Sequence, residues 1–218
     1  MKRQLVVATS LALLVFAASP SFAVNGNIGI YGDQGQAICA ADLGSSMTLY
    51  VYGLLQGGSL GGIRGAEYGI VPSVATDWQF FETSTADVTI GTALGASPGI
   101  NLSYALCQSS GPVLLQTITV LDNSGNFAGV PVTLSVEGAT NPGNPFFRCP
   151  LFVLCDDPTF TKVCLGSNQV IGTCPFPPFA ELCEYSSSGE FFINPEPGFD
   201  CTVAVQEKTW SEVKNLYN

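Results

Sequence analysis

Short runs in which apolar residues alternate with small polar ones, separated by glycine and proline, constrain this chain most. In GINLSYAL, Ile100, Leu102, Tyr104 and Leu106 fall on one side of an extended backbone, and Asn101, Ser103 and Ala105 on the other. A period of two is the pattern of a strand with one buried face. In GVPVTLSVEG, Val130, Val132, Leu134 and Val136 alternate with Pro131, Thr133, Ser135 and Glu137. Pro131 has no N–H to give, so that strand is expected at a sheet edge or with this position facing out of the ladder. Further strands are expected at 28–31, 47–54, 67–71, 78–83, 88–92, 114–121, 169–173, 190–193 and 201–205. Short strands at such spacing, with no long amphipathic helix, indicate an all-β sandwich.

The two ends of the chain differ from the middle. At the N-terminus Lys2 and Arg3 precede an apolar run from Leu5 to Ala18 and a small-residue site ending at Ala23. That is the pattern of a cleaved secretory signal peptide over 1–23. The run is too short, and too interrupted by Thr9 and Ser10, to cross about 30 Å of hydrocarbon, so the protein is expected not to span a membrane. At the C-terminus Thr209 and Glu212 form a capping box, and Trp210, Val213, Leu216 and Tyr217 recur at helical spacing. A short helix over 209–218 is expected to pack on a sandwich domain of 24–208.

Export makes disulfides the default for Cys39, Cys107, Cys149, Cys155, Cys164, Cys174, Cys183 and Cys201. Six of these eight lie between 149 and 201, where prolines also concentrate. The stretch of about 138–198 therefore reads as a disulfide-rich loop insertion between sandwich strands, with a separate small Cys-rich domain as the alternative. Connectivity does not follow from spacing.

Charge and missing residue types exclude several functions. Loss of the leader with Lys2 and Arg3 leaves 5 basic against 17 acidic residues, a net of −12. Such a surface repels phosphate backbones and anionic headgroups, so nucleic acid is not an expected partner. The chain has no histidine, which removes Ser-His-Asp and Cys-His catalysis and His-ligated zinc. No cofactor is implied. Glycoside hydrolysis needs two carboxylates about 5 to 9.5 Å apart, and Glu67, Asp77, Glu82 or Asp87 are the residues that would supply them.

Three further features bear on binding. The stretch GGIRGAEYGI, 61–70, opens a strand at Gly65-Ala66 with almost no side chain, letting another group approach closely beside Glu67. Asp122, Ser124 and Asn126 stand at alternate positions like the front of a calcium loop. Phe127 and Thr133 replace the glycine and glutamate such a loop needs, so a hairpin turn explains them as well. Trp78, Phe80 and Phe81 in DWQFFET offer either a sugar-stacking platform or, for Trp78 and Phe80, core filling.

The succession GGIRGAEYGIVPSV, DVTIGTALG, GINLSYALC and GPVLLQTITVLD, across about 45–122, resembles cohesin-like and carbohydrate-binding-module-like sandwiches. That likeness implies an Ig-like/cohesin-like β-sandwich in which GAEY is structural. NIGIYGDQG, GAEYGIVPS, DDPTFTKVC and TVAVQEKTWSEVKNLYN together resemble a group of exported bacterial proteins with no assigned activity, ending in T-W-G-x-I/V-K-x-L-Y-R. This chain departs from that ending at Ser211 and Asn218. The expectation is an exported, secreted or periplasmic, non-catalytic binding or structural protein, with a polysaccharide or another surface protein as partner. A carbohydrate-binding accessory module and a carboxylate-based glycoside hydrolase are the alternatives.

Overall fold

The computed structural model describes residues 25–56, 62–108, 112–126, 128–140, 150–155, 162–164 and 190–199. The expected leader, the expected terminal helix and the strands expected at 169–173 and 201–205 lie outside them. So do Cys149, Cys174, Cys183 and Cys201.

The described residues form twelve strands: β1 (Asn25–Tyr31), β2 (Ala40–Ala41), β3 (Ser46–Gln56), β4 (Ile63–Pro72), β5 (Gln79–Ser84), β6 (Val88–Thr92), β7 (Gly99–Gln108), β8 (Val113–Leu121), β9 (Val132–Glu137), β10 (Leu151–Leu154), β11 (Lys162–Cys164) and β12 (Phe191–Ile193). Among the described residues there is no helix, and the fold is an all-β sandwich of two sheets. One sheet runs β1-β3-β8-β5; the other holds the remaining eight strands. The first half of β4 lies between β7 and β10, which pair with the same residues, and its second half pairs with β9.

Alternation builds the core. Ile28 and Ile30, Leu49 and Val51, and Ile118 and Val120 point inward from the first sheet. Ala66, Tyr68 and Ile70, Ile100, Leu102 and Tyr104, and Val132, Leu134 and Val136 meet them from the second. Leu106, expected to continue the buried side of β7, is instead 77% exposed. The pairing of β4 with β7 shifts register between Ile63 and Gly65, and jumps from Gln108 to Ser103 across that shift, so the face of β7 is not continued past Tyr104.

Pro131 sits one residue before β9, which lies between β4 and β12 and is not an edge. The strand keeps its donors because it begins after the proline. The stretch of 138–198 contributes β10, β11 and β12 to the second sheet. Phe152 of β10 is fully buried and fills space left by Gly53 on the opposite sheet, where an added Cβ would stand 2.7 Å from its Cζ. That contact ties the two sheets together through one ring and one missing side chain.

Cys107 is bonded to Cys155, with Cα atoms 5.8 Å apart, and Cys39 is disulfide-bonded as well. The Cys107–Cys155 bridge joins the ends of β7 and β10, the strands on either side of the first half of β4. Gly62 passes beside it at φ +120, its carbonyl accepting the Cys155 N–H at 3.0 Å. An L side chain there would be strained by that φ and would run into the Gln108 carbonyl.

Candidate functional site

The outward face of the second sheet is built from rows of residues in register. One row reads Val88, Ser103, Gly65, Val153 and Lys162 across β6, β7, β4, β10 and β11. The next reads Ile90, Asn101, Glu67, Leu151 and Cys164. Where the first row crosses β4 there is no side chain, and a groove of about 260 Å³ opens over Gly65. Val88 and Ile90 of β6 wall it on one side and Val153 on the other, while Asn101 and Ser103 supply polar atoms and Arg64 stands at its end. The strand opens at Ile63 and not at Gly65-Ala66 as expected, but the bare position at Gly65 is a real gap. A Cβ at Gly65 would lie 2.8 Å from the Leu102 carbonyl oxygen, so close packing of β4 against β7 also requires glycine there.

Val88 and Ile90 are 54% and 57% exposed, and all five residues of β6 face solvent. Edge strands usually carry lysine, proline or an inward charge that discourages association. VTIGT has none of these.

Arg64 owes its position to a bulge. Ile63 is fully buried and Ala66 nearly so, leaving two outward residues between them, Arg64 and Gly65. Register shifts at this point toward both β7 and β10, and the extra residue of a bulge re-aims its side chain. The Arg64 Nη2 donates to the Ala105 carbonyl at 3.2 Å, and the Ala105 N–H donates to the Asp87 Oδ2 at 2.8 Å. Two side chains thus hold β7 where its ladder partners end.

The inner side of the same strand is polar but closed. The Tyr68 hydroxyl donates to Gln116 Oε1 at 2.8 Å, and Gln116 Nε2 donates to Glu82 Oε2 at 2.6 Å. The Glu82 carboxylate also accepts the Ala93 and Leu94 N–H groups at 2.8 and 2.9 Å. Gln116 faces inward because β8 shifts register against β3 between Val51 and Tyr52, which buries both Leu115 and Gln116. Burial, then the charges of Tyr104 and Glu82, pushes the Tyr68 phenol well above its ordinary value. Burial also raises Tyr104, opposed by its hydrogen bond with Thr85. This chain of bonds locks the loop after β6 to the opposite sheet and leaves no open acid.

The residues singled out from sequence are distributed as follows. Trp78 is buried, Phe80 packs against the core in edge-to-face contact with it at 6.4 Å, and only Phe81 of the three is exposed, at 57%. No common aromatic platform results. Asp122, Ser124 and Asn126 do come together, joined by Asp77: the Ser124 hydroxyl lies 2.9 Å from Asp122 Oδ1 and 3.1 Å from Asp77 Oδ1. Gly125 N–H donates to Asp122 Oδ1 and Asn126 N–H to the Ser124 oxygen, which closes the stretch as a turn. Of the carboxylates considered for hydrolysis, Glu82 is engaged by three donors, Asp87 by Ala105 and Asp77 by this turn, while Glu67 is buried on the outward face. Sequence reasoning missed Arg64, Val88 and Ile90. The alternation of Val88 and Ile90 was visible, but not that their shared face stays uncovered.

No family model matches the chain, and no curated protein matches it. Two solved structures are similar. One is the sixth cohesin of scaffoldin B from Acetivibrio cellulolyticus, in complex with a mutant Cel5 dockerin, at 18% identity and a TM-score of 0.42, covering 65% of this chain and 92% of that one. The other is a cohesin module from a Clostridium perfringens family 33 glycoside hydrolase, at 14% identity and a TM-score of 0.39, covering 66% and 92%.

Proposed function

We propose that this is an exported, non-catalytic binding protein of the cell surface or extracellular space, and that it contacts its partner through the outward face of β6, β7, β4 and β10. The groove over Gly65, rimmed by exposed Val88 and Ile90, carries the reading. A pre-formed concavity with aliphatic walls and a few polar groups is what a recognition surface offers. Of the three aromatic residues proposed as a carbohydrate platform, only Phe81 stays exposed, since Trp78 and Phe80 are turned into the core.

The test is site-specific photo-crosslinking of the whole protein in the fluid into which it is exported. A photo-reactive residue replaces Ile90 in one sample and Thr48, exposed on the first sheet, in the other. Adducts from position 90 and none from position 48 are expected. Adducts confined to position 48 would move the contact surface to the other sheet and end this reading.

A further inference from the structure

We infer that the groove over Gly65 recognises a carboxylate presented beside an aliphatic side chain on an extended or turning segment of a partner protein, with Arg64 as the group that reads the carboxylate. The inference rests on the outward face being the contact surface and goes further in naming what that surface selects.

The argument starts from charge. The protein is acidic, with a formal net charge of −10. Among the described residues the only basic ones are Arg64 and Lys162, and both belong to the β4–β10–β11 side of the second sheet. With 17 acidic residues in the chain, a lone exposed arginine is expected to find an intramolecular carboxylate. Among the described residues no carboxylate accepts from Arg64: its hydrogen bond is to the neutral Ala105 carbonyl. A guanidinium carries five N–H donors in a planar fork suited to bidentate carboxylate binding, and this contact engages one nitrogen. Asp87, anchored on the same residue, already accepts the Ala105 N–H.

Geometry narrows the ligand. The bulge that turns Arg64 outward sets it at the end of a groove whose walls are Val88, Ile90 and Val153. A carboxylate on Arg64 would therefore have aliphatic surface alongside it and the Asn101 and Ser103 side chains within the same concavity. Sugar rings are usually held by aromatic faces. None of the described residues lining this groove is aromatic, which favours a peptide over an acidic polysaccharide.

The experiment pans the full exported protein against a displayed random peptide library, then measures the enriched peptides on wild type, Arg64→Gln, Arg64→Lys and Ile90→Thr. Circular dichroism and thermal melts confirm that each variant is folded. Enriched peptides should carry Asp or Glu next to Leu, Ile or Val. Their affinity should fall at least about tenfold on Arg64→Gln, less on Arg64→Lys, and weaken with added salt. Peptides that bind Arg64→Gln as well as wild type but lose affinity on Ile90→Thr would overturn the carboxylate assignment while leaving the contact face standing. Peptides indifferent to both substitutions would overturn both. Binding of oligogalacturonate that requires Arg64, with no acidic peptide enriched, would replace the protein partner with an acidic polysaccharide and also overturn the inference.

Discussion

The two faces of β4 solve opposite problems with the same small residues. Inward, Ala66, Tyr68 and Ile70 are buried, and the single polar atom among them is tied to Gln116 and through it to Glu82. Where a side chain is missing on that side of the molecule, at Gly53, the space is filled by Phe152. Outward, the space over Gly65 is left as a groove, and Arg64 beside it keeps donors unused. The lesson is that a glycine in a strand has to be judged by what occupies the vacancy. A vacancy filled from within is packing, and one that stays open beside a charge with no carboxylate partner among the described residues is a place for something else.

The contrast can be broken in four ways. The largest effect is expected for Phe152→Ala, which empties the interior vacancy and should cost about 3 to 5 kcal/mol in urea unfolding; a loss below about 1 kcal/mol would mean that the Gly53 contact is incidental. Replacing Cys107 and Cys155 together by serine should cost about 2 to 4 kcal/mol, read as the drop in thermal midpoint relative to unreduced wild type. Tyr68→Phe should cost about 1 to 2 kcal/mol through the lost bond to Gln116. It should also change the alkaline limb of stability. The buried phenol keeps its proton beyond 10.0, whereas the unfolded one ionises there, so stability falls as pH rises above that value. Removing Tyr68 should flatten the fall, leaving the smaller contributions of Tyr104 and Tyr31, both raised by burial. The smallest effect is expected for Ile90→Thr, within about 0.5 kcal/mol of wild type by chemical denaturation. A loss above about 1.5 kcal/mol would show that the outward face is part of the packing after all.

Much of this architecture is legible in the sequence because a buried face imposes a period of two. The strand read at 88–92 is β6 to the residue, and β1, β3, β5, β7 and β8 are recovered within a few positions. What escapes the period is what breaks it. LFVL of β10 is a continuous apolar run with no alternation, lodged among cysteines and prolines, and so reads as loop. The bulges at Arg64 and at Leu115-Gln116 each shift the phase of a strand, turning an arginine outward and a glutamine inward. The gap at Gly65 is visible in GGIRGAEYGI, but the walls that make it a groove come from β6 and β10, which only the topology brings to its sides. The turn at Asp122 gains Asp77, a partner 45 residues upstream, for the same reason.

The Cys107–Cys155 bridge has a mechanical meaning as well. It closes a covalent loop with a sequence separation of 48, and β8 of one sheet and β9 and β10 of the other lie inside that loop. A pull applied to the chain outside the loop passes through the sulfur atoms and never stretches it. About 160 Å of contour length stays hidden until the bond is reduced. In a protein tethered between a surface and a partner, β8, one of the two inner strands of the first sheet, would remain unextended while the chain outside the loop takes the load.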